Sequence, residues 1–222
     1  MKILPLLFVL ALAFVKPAAA TDIPEEVVAW ANDNVWLVET PQGTGSGFWI
    51  DDDYFVTACH NVRSSDEIGI YHYTDTTYIA MKKLTCNEAN DIAILEARWE
   101  NPLPPGRGAA VFHVRVGKTV YGAGYPLGGT MMFTLGHWIG EERVASWEDY
   151  PERVYLVTTP TINGDSGSPV IAMIDGEIVV AGLRRQIRLK AEYVGFAAVP
   201  IPMTHITLVA SPESIQQELA AL

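Results

Sequence analysis

A serine between two glycines is the first feature of this sequence that could carry chemistry. The segment Asn163–Pro169 reads NGDSGSP, with Ser166 at its centre, and the apolar run Val170–Ile174 follows it. Glycines let the backbone turn tightly, so the hydroxyl can stay accessible while neighbouring amides converge on one point. The segment could therefore present a nucleophile beside an anion site. Taken alone, it is also compatible with an ordinary hairpin turn.

A histidine and an aspartate occupy positions that could serve such a serine. Strand-like runs on both sides of the acidic turn Asp51–Asp53 predict a hairpin that ends at His60. Asp91 directly precedes the apolar run Ile92–Leu95, so its carboxylate is expected at the rim of a sheet. There it could accept a proton donated by an imidazole. The order along the chain is histidine, aspartate, serine.

Most of the chain that must position these residues has a strand-like pattern. Short runs rich in Val, Ile, Tyr, Phe, Trp and Thr alternate with turn residues, which predicts an all-β antiparallel sandwich or barrel. The segment Asn101–Gly108, rich in proline and glycine, divides five or six strands on each side. We expect two small barrels, at about residues 34–100 and 109–209, with Tyr193–Val199 as one strand of the second.

Only the C-terminus has a helical signal in this interpretation. Ser211 supplies an N-cap, Pro212 a first-turn proline and Glu213 an acid, so Ser214–Leu222 is predicted to be a short helix. No long stretch before it shows a sustained helical period.

The first twenty residues are typical of a secretory signal peptide. Met1–Ala20 has an early lysine, a short apolar stretch and an Ala-x-Ala ending, which places the mature start near Thr21. An uncleaved membrane anchor is the alternative, although the apolar stretch is shorter than the ~20 residues that a spanning helix needs. We expect an exported protein, periplasmic or extracellular, with no membrane association after cleavage.

Composition excludes several classes of function. The 222 residues are 49% hydrophobic and carry a net charge of −11, which becomes −13 when the leader's two lysines are removed. The apolar content is too high for a disordered chain. The acidic balance argues against nucleic acid or anionic lipid as the partner. Two cysteines cannot form a four-cysteine zinc site, and the histidines lack metal-ligand spacing, so no metal site is expected.

Those two cysteines, Cys59 and Cys86, would meet an oxidising compartment after export, where a disulfide can persist. Two buried free thiols would look the same in the sequence. Their pairing is therefore left open.

Together, these motifs resemble the chymotrypsin-like serine proteases, and most closely the protease domain of the HtrA/Deg group. The likeness runs from Gly43 to Pro200 and follows the family's order. Its motifs are Gly45–Ile50, Thr57–Val62, Asp91–Leu95, Gly122–Gly136, Gly164–Pro169 and Gly195–Pro200.

This resemblance implies a double barrel of two six-stranded antiparallel β-barrels and a peptide-bond hydrolase that needs no cofactor. Ser166 would attack the scissile carbonyl, His60 would act as base and then acid, and Asp91 would orient the imidazole. The amides of Gly164 and Ser166 would form the oxyanion hole. Polypeptides would be the substrates, and only analogy with the family suggests an oligomer.

The sequence departs from the resemblance at three positions. Since the sequence ends at Leu222, we expect the PDZ domain usual in the HtrA group to be absent. Asp165 precedes the nucleophile as in trypsin-like enzymes, yet no activation sequence precedes it, so we expect it to be solvated or paired with another cation. Cys59 comes before the histidine, where the trypsin group has its cysteine after it.

The segments expected to line the substrate pocket do not define a specificity. Candidate residues are Thr161, Ile162, Leu183 and Arg184. Arg184 could bind an acidic substrate side chain bidentately, but the simpler interpretation is that Arg184 and Arg185 are exposed strand residues. We expect an exported serine endopeptidase; the alternative is a protease-fold binding protein that has lost its activity.

Overall fold

The computed structural model describes residues 22–72, 77–98, 108–142, 154–194 and 197–222. The predicted leader Met1–Ala20 lies outside these residues, as does the predicted linker Asn101–Gly108 except for its last glycine. Within the described ranges, no helix has the length and apolar character needed to cross a membrane.

The described chain consists mainly of strands. In order, the elements are α1 (Glu25–Asn34), β1 (Val35–Thr40), β2 (Gly43–Trp49), β3 (Tyr54–Thr57), α2 (Cys59–Val62), β4 (Ile68–Tyr71), β5 (Tyr78–Asn87), β6 (Ile92–Ala97), β7 (Ala110–Val111), β8 (Thr119–Gly124), a 3₁₀ turn (Pro126–Gly128), β9 (Met132–Glu142), β10 (Val154–Val157), β11 (Pro169–Ile174), β12 (Glu177–Val194), β13 (Ala197–Ala210) and α3 (Pro212–Ala220).

The first six strands close into a barrel in the order β1-β2-β3-β6-β5-β4. The hairpin predicted around Asp51–Asp53 is present, because β2 pairs antiparallel with β3. The Asp51 carboxylate stabilises its turn by accepting hydrogen bonds from the backbone N–H groups of Asp53 (2.9 Å) and Tyr54 (2.7 Å). This hairpin ends immediately before α2, which carries His60.

The second sheet has the order β11-β8-β9-β10-β13-β12, and a further pairing of β11 with β12 closes it into a six-stranded ring. The short strand β7 adds to β12 in parallel outside that ring. The predicted fold class, two six-stranded antiparallel barrels with a C-terminal helix, is confirmed. Closing both sheets leaves few unpaired strand edges.

An apolar interface joins the two barrels. Each barrel has its own core, exemplified by Phe55 in the first and Trp138 in the second. A third cluster joins Phe48 and Val56 of the first barrel to Ile171 of the second. Because these side chains are buried, the relative position of the barrels is set by packing as well as by the chain between them.

Two elements differ from the interpretation of the sequence. The ten-residue helix α1, which that interpretation did not include, precedes the first strand, and its Val27, Trp30 and Ala31 form a buried face at helical spacing. The expected single strand Tyr193–Val199 instead covers the end of β12 and the start of β13, which pair as an antiparallel hairpin. The C-terminal helix is confirmed, and the Ser211 hydroxyl accepts a hydrogen bond from the Ser214 amide (2.9 Å).

The structure joins Cys59 and Cys86 in a disulfide, with their α-carbons 5.0 Å apart. It links α2 to β5 and closes a loop with a sequence separation of 27 residues. His60 directly follows one end of this link, so the disulfide holds the short histidine-bearing helix against the first barrel.

We expect the double substitution Cys59→Ala/Cys86→Ala to lower the free energy of unfolding by about 3 kcal/mol, because it frees a loop of this length in the unfolded chain. Urea denaturation of oxidised wild type and variant measures the difference. Wild type denatured under reducing conditions is the matched control and should resemble the variant. Equal midpoints for all three samples would contradict the prediction.

Candidate active site

His60 and Asp91 are in direct contact in the first barrel. The His60 Nδ1 atom lies 2.8 Å from Asp91 Oδ2 and 3.0 Å from Asp91 Oδ1. The backbone N–H of His60 also donates to Asp91 Oδ1 (2.9 Å). The imidazole is about one-third exposed, whereas the carboxylate is mostly buried. This contact favours the tautomer that carries its proton on Nδ1, which leaves Nε2 free to accept one.

Backbone geometry directs the Asp91 carboxylate to the histidine. Asp91 has a φ of 54°, in the left-handed region that aspartate tolerates better than most residues. Its carbonyl accepts a hydrogen bond from the Cys59 amide (3.2 Å). The turn before β6 is thereby attached to the start of α2, and the side chains of Asp91 and His60 face each other.

The loop that carries Ser166 is attached to the first barrel by hydrogen bonds. The Ser166 carbonyl accepts from the Ser46 amide (2.9 Å) and from Asn61 Nδ2 (2.8 Å). The Ser46 hydroxyl donates to the Gly164 carbonyl (2.7 Å) and accepts from the Tyr125 amide (2.8 Å). Since Asn61 is the neighbour of His60, these contacts bring the predicted nucleophile to the histidine and aspartate.

The Ser166 hydroxyl donates a hydrogen bond to the backbone carbonyl of Arg185 (3.0 Å). Within the part of the chain that the structure describes, which includes both residues, no hydrogen bond joins the Ser166 hydroxyl to the His60 imidazole. The three residues predicted to act together therefore share one neighbourhood, with the serine hydroxyl bonded to a different acceptor.

Two glycines are required for this loop to fit its surroundings. Gly164 has a φ of 96°, and a Cβ there would lie 2.5 Å from the Leu127 nitrogen. Gly167 has a φ of 88°, and a Cβ there would lie 2.1 Å from the Ser46 carbonyl oxygen. The amides of Gly164 and Ser166 donate to no carbonyl in the described part of the chain. Neither amide therefore has its hydrogen bond taken up by the backbone of the described residues.

A buried ion pair lies beneath the loop. Asp165 Oδ2 accepts from the Ile162 amide (3.1 Å) and lies 3.7 Å from Arg184 Nη1. The guanidinium of Arg184 is fully buried and also donates to the Thr134 hydroxyl. Burial raises the pKa of Asp165, against the opposing effect of the nearby guanidinium. Burial likewise lowers the pKa of Arg184 to about 10.

These contacts correct two expectations. Arg184 and Arg185 are 0% and 2% exposed, so their interpretation as exposed strand residues is wrong. Asp165 is 4% exposed, so it is not solvated. The alternative named for it, pairing with another cation, is what the structure contains, and the cation is Arg184.

The candidate substrate residues do not form one surface. Thr161 is buried and shares a hydrogen bond with the Thr207 hydroxyl (2.7 Å). Leu183 is buried in the interface between the barrels. Only Ile162, at 42% exposure, presents its side chain to solvent beside the nucleophile loop.

Comparison with protein families decides the classification. A trypsin-like peptidase domain matches residues 45–181, a range that includes His60, Asp91 and Ser166. The chain belongs to the trypsin-like peptidase family.

Two curated relatives of this trypsin-like peptidase chain are of the HtrA/DegP type. It is 30% identical over 164 residues to a probable periplasmic serine endoprotease DegP-like protein of Hahella chejuensis. The matched region covers 72% of this chain and 34% of the relative. It is 30% identical over 143 residues to the chloroplastic Protease Do-like 1 of Arabidopsis thaliana, covering 61% and 32% respectively. The chain spans about a third of these relatives' length. The predicted resemblance to the HtrA/Deg group is confirmed.

Solved structures agree with the fold. An inactive form of Rv3671c from M. tuberculosis has a TM-score of 0.70 at 22% identity, covering 88% of this chain and 89% of that one. The HtrA-type protease AlgW, solved with a tripeptide, has a TM-score of 0.68 at 15% identity, covering 89% and 62%.

Sequence reasoning did not anticipate how these residues support the site. Ser46 and Asn61 attach the loop, and Arg184 and Arg185 place two positive charges beside buried carboxylates. One signal was present in the sequence. Two arginines follow Gly182 and Leu183 in an apolar strand, and charged side chains are rarely buried unless they are paired, so these arginines needed partners if the strand was buried. Nothing in the sequence specified their partners.

We expect Arg184→Met to lower the free energy of unfolding by about 3–5 kcal/mol, because it leaves Asp165 charged, buried and without its cation. The double variant Arg184→Met/Asp165→Asn removes both charges and should recover most of that loss. Urea denaturation measures both. A double variant no more stable than the single one would show that the charges are not coupled.

Proposed function

We propose that this protein is a serine endopeptidase that acts through His60, Asp91 and Ser166. The observation that carries the proposal is the paired contact of Asp91 with His60, beside a glycine-bounded serine held in place by Ser46 and Asn61. Membership of the trypsin-like peptidase family supports it. Polypeptides are the proposed substrates.

The chemistry follows from the roles that these groups can take. Ser166 Oγ adds to the scissile carbonyl carbon while His60 Nε2 takes the hydroxyl proton. The same proton passes to the leaving amine as the peptide C–N bond breaks and an acyl-enzyme remains. Water, deprotonated by His60, then adds to the acyl carbon. The bond from that carbon to Ser166 Oγ breaks, His60 returns the proton to Oγ, and the acyl group leaves as a carboxylic acid. Asp91 holds the imidazole and stabilises its charged form.

The amides of Gly164 and Ser166 are the proposed oxyanion hole. Each donor of this kind contributes about 3–4 kcal/mol to the stability of the transition state in related enzymes. The left-handed conformation of Gly164 supports the assignment, because it sets the direction of the amide on that side of the loop. No step of the mechanism uses a metal or a cofactor.

For catalysis the Ser166 hydroxyl must leave the Arg185 carbonyl and bond to His60. Catalytic hydrogen bonds are often absent before substrate binds, so this arrangement is compatible with an enzyme. It is also the one observation that favours the alternative, a protease-fold binding protein without activity.

Export and specificity are further parts of the proposal. The sequence of Met1–Ala20 supports a cleaved leader and a periplasmic or extracellular location, and one relative is named as periplasmic. Ile162 is the proposed pocket-side residue because its side chain is exposed there. The burial of Thr161, Leu183 and Arg184 argues against direct contact between these side chains and substrate.

We expect a fluorophosphonate probe to label the wild-type protein and not Ser166→Ala, since only an activated serine reacts with it. Turnover of a peptide library should fall by a factor on the order of 10⁶ in the same variant.

Ser168→Ala is the matched control, because its hydroxyl lies in the same loop, is buried and has no hydrogen-bond partner among the described residues. It should be labelled like wild type. Folded wild-type protein that neither reacts with the probe nor cleaves the library, with or without added activating peptides, would favour the binding-protein alternative.

A further inference from the structure

Two adjacent arginines on one strand are buried with their guanidinium groups beside different carboxylates. Successive side chains of a regular strand point to opposite faces of the sheet. The pairing of β12 with β13 shifts register between Arg184 and Gln186, which places Arg185 at an irregularity of the bulge type. Such irregularities redirect side chains near active sites. Arg184 lies against Asp165 in the second barrel, and Arg185 reaches Asp91 in the first.

Three contacts of Arg185 lie at or next to the proposed triad. Its Nε lies 3.6 Å from Asp91 Oδ2, and its Nη2 donates to the Ala89 carbonyl (3.4 Å), in the turn before the aspartate. Its own carbonyl accepts from the Ser166 hydroxyl (3.0 Å). The side chain is 2% exposed, so solvent screens the attraction between Arg185 and Asp91 only weakly.

Each oxygen of the Asp91 carboxylate therefore has a second partner besides the imidazole. Oδ1 accepts from the His60 amide (2.9 Å), and Oδ2 faces the Arg185 guanidinium. Rotation of the carboxylate about its Cβ–Cγ bond would break both contacts. The two partners restrict the orientation in which Asp91 meets His60 Nδ1.

We propose that Arg185 is a positioning residue for the triad, which fixes the Asp91 carboxylate against His60 from the second barrel. The proposal rests on the proposed function for its catalytic consequence, although not for the contact itself. It makes the His60–Asp91 pair dependent on the packing of the two barrels against each other, because Arg185 belongs to β12 of the second barrel and Asp91 precedes β6 of the first.

The test compares Arg185→Met, Arg185→Lys and Arg115→Met with wild type. Arg115 is exposed, so Arg115→Met removes one arginine without a contact to the triad. The low-field proton resonance of His60 Nδ1, assigned by its loss in His60→Ala, reports directly on the bond to Asp91. We expect it to shift or broaden in Arg185→Met, to shift less in Arg185→Lys, and to stay unchanged in Arg115→Met.

For peptide hydrolysis we expect kcat to fall about 10²-fold in Arg185→Met with KM unchanged, because the catalytic group is misplaced while the binding cleft is kept. Arg185→Lys should recover part of that loss. If Arg185→Met does not fold, Arg185→Gln, which retains a planar donor, is judged by the same resonance.

An unchanged His60 resonance in the folded Met or Gln variant would overturn the proposal, as would an equal change in Arg115→Met. The resonance does not depend on turnover. A shifted resonance in a protein that never reacts with the fluorophosphonate would therefore uphold the contact between Arg185 and Asp91 while rejecting the proposed endopeptidase.

Discussion

Attachment of the nucleophile loop to the first barrel is the constraint on which the site depends. His60 and Asp91 lie in one barrel and Ser166 in the other, so no single barrel holds the three. Hydrogen bonds from the Ser46 amide and the Asn61 side chain to the Ser166 carbonyl attach the nucleophile loop to the barrel that holds His60 and Asp91. The apolar interface between the barrels holds the two sides of these bonds together.

Burial of charge is the second constraint. The site brings two carboxylates and two guanidinium groups out of water, and each carboxylate lies beside one guanidinium. Isolated buried charges are too costly to retain, so the pairs must form together with the fold. Burial raises the pKa of Asp165, although the Arg184 guanidinium and the hydrogen bond from the Ile162 amide act to lower it. One strand supplies both cations, because its successive side chains point to opposite faces of the sheet.

Much of the fold could be predicted because its signals are local. Alternating apolar runs and turn residues indicated two barrels, and the Ser211 cap indicated the C-terminal helix. The first helix was missed although its apolar spacing is present in the sequence, since the run is short and polar at both ends. The sequence predicted one strand where β12 ends and β13 begins, because its strand-like residues run on from one element to the next with little interruption.

The sequence by itself determined the family and the three residues proposed to react, because those motifs are short and depend only on neighbouring positions. The tertiary structure alone decided which charges meet. The pairing of Asp165 with Arg184, and of Asp91 with Arg185, depends on contacts between residues far apart in the chain. Electrostatic partners in a folded protein are set by packing, and the order of residues along the chain does not encode them locally.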